Sequence, residues 1–203
     1  MTAAIHTPEA PARTRQFGAG EVVLYPGAAD DLYQVNAGLV RLHTVDDDGF
    51  GATLRYVKPG GYFGEEALTG KQRRYFADAI TDSTVLAFDA RQLGPAEVRA
   101  VAVDLALAMD RMNRSLLRLA GKPLKARVAA ELLELSDSAL AVRSPDGVPT
   151  IRMTHDELAA AVGSVRETVT KVIGELVRSG ALKAGYAKLT ICDARLLAEI
   201  AGP

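Results

Sequence analysis

The stretch from Thr154 to Leu176, THDELAAAVGSVRETVTKVIGEL, constrains the fold more than any other part of this 203-residue chain. Apolar residues recur at spacings of three and four on both sides of Gly163, which predicts two short helices that share one core. Gly163 lies where the first helix must end, a position that favours a residue tolerant of positive φ. The spacing therefore predicts two helices that cross at a tight turn.

Each of these two helices has its own start signal. Thr154 with Glu157, and Ser164 with Glu167, match the capping box, in which a hydroxyl and a carboxylate bond to free backbone amides. We therefore expect one helix to start after Thr154 and the other after Ser164.

The second helix carries Val165, Arg166, Glu167, Thr170 and Lys171 outside its apolar stripe, all within its first two turns. This is the part of a recognition helix that contacts base edges in the major groove. Arg166 is suited to a bidentate contact with guanine, Glu167 to a cytosine amine, and Lys171 to guanine or phosphate. The alternative is a solvated face on which Glu167 and Lys171 form an ion pair. The predicted partner is double-stranded DNA.

The segment that follows, from Ala181 to Ile191, predicts a short hairpin of the kind found in a winged helix-turn-helix. The turn of such a hairpin can contact the phosphate backbone, and Lys183 and Lys188 would supply the charge. The alternative is that both lysines only keep the surface soluble.

The first half of the chain has a different pattern. Between Phe17 and Phe88, short alternating runs are separated by glycine or acidic turns, which predicts a compact β-barrel or jelly roll. The predicted fold is therefore α+β, with a flexible tail (1–15), a β-barrel (16–96), a long helix (97–121) and a winged helix-turn-helix (122–203).

The long helix is predicted from apolar residues that recur at three and four between Glu97 and about Leu119. Such a long apolar face needs a partner, and we interpret it as one half of a parallel helix pair in a homodimer. Packing against the chain's own barrel is the alternative. Gly121 and Pro123 then break the helix. The predicted dimer interface comprises Val98, Val101, Leu105, Ala108, Met109, Met112, Leu116 and Leu119.

Composition limits the other classes of function. The formal net charge is −1, so a DNA-binding protein of this sequence must concentrate its positive charge locally. A single cysteine, Cys192, excludes an intrachain disulfide and a four-cysteine iron-sulfur cluster. No nucleophile, base and orienting residue occur together, so no enzyme is predicted. No apolar run reaches membrane-spanning length, and we expect a cytoplasmic protein without metal or cofactor.

Barrel, long helix and winged helix-turn-helix, in this order, resemble the cyclic-AMP receptor protein and fumarate-nitrate regulator (CRP/FNR) superfamily of transcription factors. The segment VRETVTKVI, Val165 to Ile173, resembles the family's recognition helix. The resemblance implies a palindromic site related to TGTGA, with Arg166 and Glu167 on its G·C pairs and Thr154, Val165 and Thr168 beside phosphates. The full predicted DNA-binding set is Thr154, Ser164, Val165, Arg166, Glu167, Thr168, Thr170, Lys171, Lys183 and Lys188.

The segment from Gly61 to Leu68, which we name the cassette, resembles the family's phosphate-binding cassette for cyclic nucleotides. Arg74 and Tyr75 stand where the family has small residues, and Met112 and Asn113 stand where cyclic-AMP-binding members use Thr and Ser. We therefore expect a pocket filled by Tyr75 and Met112, and DNA binding without cyclic AMP. The predicted vestigial effector pocket comprises Gly64, Glu65, Arg73, Arg74, Tyr75, Met112 and Asn113.

Two further surfaces follow from the resemblance alone. The segment RSPDG resembles the loop through which family activators contact RNA polymerase, and an acidic turn resembles one that faces sigma factor. Both are also ordinary turn sequences. The overall pattern resembles a stress-response branch found in radiation-tolerant and thermophilic bacteria, which implies an activator. The predicted polymerase contacts are Arg143, Ser144, Pro145, Asp146, Gly147, Asp46, Asp47 and Asp48.

Two alternatives to this function stay open at this point. One is a regulator that needs a different nucleotide or small molecule in the barrel. The other is a cyclic-nucleotide signalling module whose helices bind protein rather than DNA.

Overall fold

The structure is a computed structural model that describes residues 11–46 and 51–202. The chain forms two compact units, Met1–Asn113 and Arg114–Pro203. The part of the predicted tail before Pro11 lies outside the described residues, and so do Asp47 and Asp48. Among the residues that the structure describes, no helix combines the length and apolar character needed to cross a membrane.

The first unit is built on two antiparallel four-stranded sheets, with strand orders β1-β8-β3-β6 and β2-β7-β4-β5. Side chains from both sheets meet in one core, where Val40 and Leu42 of one sheet pack with Val35 and Val85 of the other. The jelly-roll alternative is therefore confirmed, and the sheets do not close into a barrel. The strands are β1 (Ala12–Phe17), β2 (Val22–Leu24), β3 (Asp31–Ala37), β4 (Val40–Val45), β5 (Gly51–Val57), β6 (Tyr62–Phe63), β7 (Phe76–Ala79) and β8 (Ser83–Asp89).

The N-terminal boundary differs from the sequence-based expectation. Residues 12–15, expected in the tail, lie in β1 and pair with β8 in register. The backbone of β1 is thus ordered by ladder hydrogen bonds, although its side chains are mostly exposed and give no apolar alternation.

Helix α1 (Pro95–Gly121) has 27 residues and is longer than expected. Pro95 occupies the first helical position, where its missing N–H costs nothing, and the Val98 N–H donates to the Gly94 carbonyl at 3.0 Å. At its far end, Pro123 separates α1 from α2 (Leu124–Leu135).

The second unit has helices on a small sheet of order β11-β12-β10-β9. Its core includes the buried side chains of Leu132, Leu158, Ile173 and Leu189. This arrangement is a winged helix-turn-helix, as predicted. Its remaining elements are β9 (Ala141–Arg143), β10 (Pro149–Arg152), α3 (His155–Val162), α4 (Arg166–Arg178), β11 (Leu182–Gly185), β12 (Lys188–Ile191) and α5 (Ala194–Ala201).

Candidate nucleic-acid interface

The start of α3 has the predicted capping box. The Glu157 N–H donates to the Thr154 hydroxyl oxygen at 3.2 Å, and the Thr154 N–H donates to the Glu157 carboxylate at 2.7 Å. The Thr154 hydroxyl also donates to that carboxylate, at 2.8 Å. The hydroxyl both accepts and donates within the cap, which gives Thr154 a role at the helix start, and its place beside a phosphate stays a prediction.

The turn after α3 depends on Gly163, which has φ 62° and ψ 55°. The N–H groups of Gly163 and Ser164 both donate to the Ala159 carbonyl, the second at 3.0 Å. This closure satisfies a helix-end carbonyl and holds Ser164 inside the turn. A left-handed glycine thus sets the angle between α3 and α4.

The second predicted capping box is wrong. The N-cap of α4 is Val165, with extended backbone at φ −102°, and no side chain caps this helix. Since the turn already uses Ser164, the extended residue before the helix comes one position later. The Ser164 hydroxyl is thereby displaced from the position that could cap the first turn, and Glu167 is released from a capping role.

Helix α4 buries Val169, Val172, Ile173 and Leu176 and exposes the opposite face. We name the exposed residues of its first two turns the recognition surface. Glu167 and Lys171 form no ion pair with each other within the described residues, contrary to the solvated-pair alternative. The recognition surface consists of Val165, Arg166, Glu167, Thr168, Thr170 and Lys171.

Two side chains of α3 contact this surface. The Asp156 carboxylate lies 3.1 Å from the Arg166 guanidinium, and both side chains are 63% exposed. The His155 Nδ1 lies 2.9 Å from the Thr170 hydroxyl. The first turn of α3 therefore touches α4 at two of the predicted DNA-contacting residues.

The hairpin β11–β12 forms the expected wing. Tyr186 at its tip is 99% exposed, and Lys183 and Lys188 are exposed as well. Ala187 has φ 48°, the one positive φ at a non-glycine position in the described residues, and its carbonyl accepts the Met153 N–H at 3.1 Å. The wing tip is thus a strained turn that presents an aromatic ring.

A surface pocket lies between the wing and the start of α3. Arg152 and Lys188 are direct neighbours across β10 and β12. Like charges opposite one another disfavour a sheet, which makes this pair a natural place for an anion such as phosphate. The pocket is lined by Arg152, Met153, Thr154, Glu157, Tyr186, Ala187 and Lys188.

The side chain of Tyr75 is buried, and its hydroxyl is bonded to the cassette. Its hydroxyl accepts the Gly64 N–H at 3.0 Å and donates to the Glu66 carboxylate at 3.0 Å. Burial, reinforced by the nearby Glu65 and Glu66 carboxylates, raises the pKa of Tyr75 well above its usual range. Glu65 is paired with Arg55 at 2.9 Å. The cassette's polar groups therefore bind one another.

The remaining predicted pocket residues are not brought together. Arg73 is 5% exposed and donates to the Tyr25 carbonyl at 3.2 Å, whereas Arg74 is exposed. Met112 is 45% exposed on α1, and Asn113 is exposed beside it. That Met112 fills the pocket stays a prediction, and its side chain is about half exposed in the single chain.

Helix α1 has two apolar faces, and the predicted interface mixes them. Val101 packs with Leu32 and Tyr62 of its own unit, and Ala108 is buried as well. The prediction is therefore wrong for Val101 and Ala108, and Leu105 is already partly covered by the same unit. A separate stripe with alternating spacings of four and three is exposed except at Leu105: Val98, Ala102, Leu105, Met109, Met112, Leu116 and Leu119.

The predicted polymerase contacts lie on two turns. Segment 143–147 connects β9 to β10, where the Arg143 guanidinium pairs with Asp137 at 2.9 Å and donates to the Gly147 carbonyl. Asp46 is exposed after β4. Both places are accessible at the surface of their own unit.

Sequence reasoning missed Asp156, His155, Arg152 and Tyr186. For Asp156 the sequence placed an acidic residue in the first turn of α3, but its contact with Arg166 depends on how the two helices cross. Arg152 and Tyr186 were not identifiable without the pairing of β10 with β12.

Comparison with known proteins agrees with this architecture. Residues 14–95 match the cyclic nucleotide-binding domain family, and residues 126–200 match the Crp-like helix-turn-helix domain family. The transcriptional regulator SdrP of Thermus thermophilus is 49% identical over 191 residues, covering 93% of this chain and 94% of SdrP. The chain belongs to the CRP/FNR family of transcriptional regulators.

Two further relatives of this regulator support the assignment. The cyclic AMP receptor protein of Thermus thermophilus is 32% identical over 196 residues, covering 92% of this chain and 87% of that protein. The crystal structure of a CRP/FNR-family regulator from Thermus thermophilus superposes with a TM-score of 0.89 at 48% identity, covering 93% of this chain and 98% of that one. The regulator is thus a DNA-binding protein of this family.

Proposed function

We propose that this regulator is a homodimeric transcription activator that binds a palindromic, TGTGA-like site without cyclic AMP. The observation that carries the proposal is the recognition surface. Arg166, Glu167 and Lys171 are exposed on the first two turns of α4, opposite a stripe that is buried. Guanidinium, carboxylate and ammonium groups at these positions suit guanine, cytosine and phosphate.

The exposed stripe of α1 supports the homodimer. Its spacing of four and three is that of a two-stranded coiled coil, and its side chains are apolar. Met109, Met112 and Leu116 are each at least 45% exposed in the single chain. Covering them with a second copy would remove this apolar surface from water and set two α4 helices on one palindrome.

The cassette supports binding without cyclic AMP. A phosphate needs free donors, but the Gly64 N–H already donates to the Tyr75 hydroxyl. The Glu65 carboxylate is likewise paired with Arg55. A ligand would have to break these bonds and displace a buried ring, which lowers its apparent affinity.

One observation favours the effector-dependent alternative. Arg73 is buried, and its Nε has no hydrogen-bond partner among the described residues. A buried guanidinium with an unused donor would suit a small anion. Thermal melting with cyclic AMP, cyclic GMP or inorganic phosphate tests this, since a ligand that binds the folded state raises the melting temperature.

DNA binding is tested by fluorescence anisotropy on a palindromic TGTGA-type duplex and a scrambled duplex, with and without cyclic AMP. We expect preference for the palindrome, equal affinity with and without cyclic AMP, and a dimer in sedimentation. A strict requirement for cyclic AMP would overturn the cassette argument. Equal affinity for both duplexes would overturn sequence-specific recognition.

Activation through RNA polymerase is tested on loop 143–147. Alanine replacements at Ser144, Pro145 and Asp146 should lower transcription from a TGTGA-type promoter while leaving DNA affinity unchanged. The matched control is alanine at Glu199, an exposed residue of α5. Unchanged transcription in the loop variants would remove this loop from the polymerase contact.

A further inference from the structure

The contact between Asp156 and Arg166 joins a carboxylate to the side chain best suited to guanine. The Asp156 Oδ2 lies 3.1 Å from Nη1 of Arg166, and neither side chain is buried. The neighbouring contact of His155 with Thr170, at 2.9 Å, fixes the same turn of α3 against α4. Asp156 is therefore held beside the recognition surface rather than free in solvent.

We propose that Asp156 is a positioning residue that sets the DNA sequence specificity of Arg166. It occupies one edge of the guanidinium and repels phosphates that would otherwise bind Arg166 on any sequence. This inference depends on the proposed DNA-binding function and adds a specificity-determining residue to it.

The geometry of the guanidinium makes this arrangement possible. Arginine has five N–H donors in a planar fork, and Asp156 lies against Nη1. The Nε and Nη2 groups form a second edge, whose two donors are spaced to suit a bidentate contact with the N7 and O6 of guanine. A guanine and Asp156 can thus be bound by Arg166 at the same time.

Guanine and phosphate differ in charge, and Asp156 therefore affects their binding to Arg166 differently. Guanine offers neutral acceptors, which a nearby carboxylate repels little. A phosphate is an anion, and it competes with Asp156 for the same charge. Asp156 therefore weakens non-specific contacts more than specific ones, and specificity is gained by repulsion against the wrong partner.

A purely structural role for Asp156 would be independent of Arg166. An exposed ion pair adds little to folding stability. A carboxylate in the first turn of a helix favours the helix dipole, but that role would be independent of Arg166. Dependence on Arg166 is thus the property that distinguishes the two explanations.

The test uses the full-length protein and two duplexes, a palindromic TGTGA-type site and the same site with its G·C pairs replaced by A·T pairs. The variants are Asp156→Asn, Asp156→Glu, Arg166→Ala and the double variant Asp156→Asn with Arg166→Ala. The control is Glu175→Gln, which removes one negative charge from α4, the helix that carries Arg166, and breaks an ion pair with Lys125 instead. Circular dichroism shows that each variant is folded.

We expect Asp156→Asn to bind the A·T-substituted duplex about threefold to tenfold more tightly and the guanine-containing duplex with a smaller gain, so that the affinity ratio falls. Asp156→Glu should keep most of the ratio, and Glu175→Gln should keep all of it. In the Arg166→Ala background, Asp156→Asn should change both duplexes equally, because the residue acts through Arg166.

The inference is overturned if Asp156→Asn leaves the wild-type ratio unchanged, or if it changes the ratio equally with and without Arg166. A wild-type protein that does not distinguish the two duplexes would overturn the proposed function, and the inference with it.

Discussion

At the cassette, the Gly64 amide and the Glu66 carboxylate are both bonded to the Tyr75 hydroxyl, whereas on α4 the side chains of Glu167 and Lys171 are exposed. Both regions are polar, and they lie in the parts of the chain that match the cyclic nucleotide-binding and Crp-like helix-turn-helix domain families. They differ in where their hydrogen-bond and ion-pair partners are found. A polar site whose groups satisfy one another stays folded without a ligand, whereas Glu167 and Lys171 have no ion-pair partner among the described residues.

Arg166→Ala has the largest expected effect. Loss of a bidentate guanine contact should cost about 1 to 3 kcal/mol of binding free energy on the TGTGA-type duplex. The discrimination should be lost at one base pair only, because the other contacts remain. Anisotropy titrations on duplexes with single base-pair changes measure this. An equal loss on all duplexes would mean that Arg166 contacts phosphate.

Tyr75→Phe tests the hydrogen bonds between the Tyr75 hydroxyl and the cassette. Removing the hydroxyl leaves the buried Gly64 N–H without its partner, which should lower the free energy of unfolding by about 1 to 3 kcal/mol. DNA affinity should be unchanged under conditions where the variant is folded. Urea denaturation measures the first quantity, and an unchanged midpoint would show that water replaces the hydroxyl.

Glu131 on α2 is a carboxyl whose ionised form is unfavourable in the folded chain. Burial, with the Glu134 carboxylate nearby, raises the pKa of Glu131 from 4.5 to about 7. The folded chain then binds more protons than the unfolded chain between these values, so stability falls as pH rises through about 7. Glu131→Gln should be more stable than wild type by about 1 to 2 kcal/mol at pH 8, with little difference at pH 4. Equal differences at both pH values in urea denaturation would contradict the cause.

Ala187→Gly tests the strain of the turn at the tip of the wing. An alanine at φ 48° is strained, and glycine adopts this conformation freely. The variant should gain about 1 kcal/mol of unfolding free energy, which calorimetry detects as a higher melting temperature. DNA binding should be unchanged, because the turn keeps its shape. A lower melting temperature would show that the backbone there is relaxed.

Lys183→Ala has the smallest expected effect. A phosphate contact made by the wing should weaken binding to all sequences alike, by less than about 1 kcal/mol at moderate salt. The slope of log K against log salt should fall by about one unit. Binding measured between about 50 and 200 mM salt tests this. An unchanged slope would assign Lys183 to solubility alone.

The sequence predicted the helices around Gly163 because their apolar spacing and the Thr154 cap agree. It failed at Ser164 because the turn uses one residue more than the pattern suggests, which only the backbone hydrogen bonds reveal. On α1, spacing alone could not separate the stripe that contains Val101, which packs within its own unit, from the exposed stripe. The short strands β6 and β9 carry too few residues for a period to be recognised.

The cassette shows a similar limit. The sequence indicated that Tyr75 is too large for a nucleotide pocket, but not that its hydroxyl bonds to Gly64 and Glu66. Those bonds depend on a left-handed backbone at Gly64 and on the approach of β7, which lie outside local patterns. The contact of Asp156 with Arg166 likewise depends on how α3 crosses α4.

Gly163 has a consequence for how this protein can change over generations. A methyl group at this position would come within 2.8 Å of the Leu119 Cδ2, and the backbone there already disfavours any side chain. A side chain at 163 is therefore disfavoured mainly by the positive φ, because the exposed Leu119 side chain can turn aside. Related sequences should therefore keep glycine or asparagine at this position, whichever residue stands at 119.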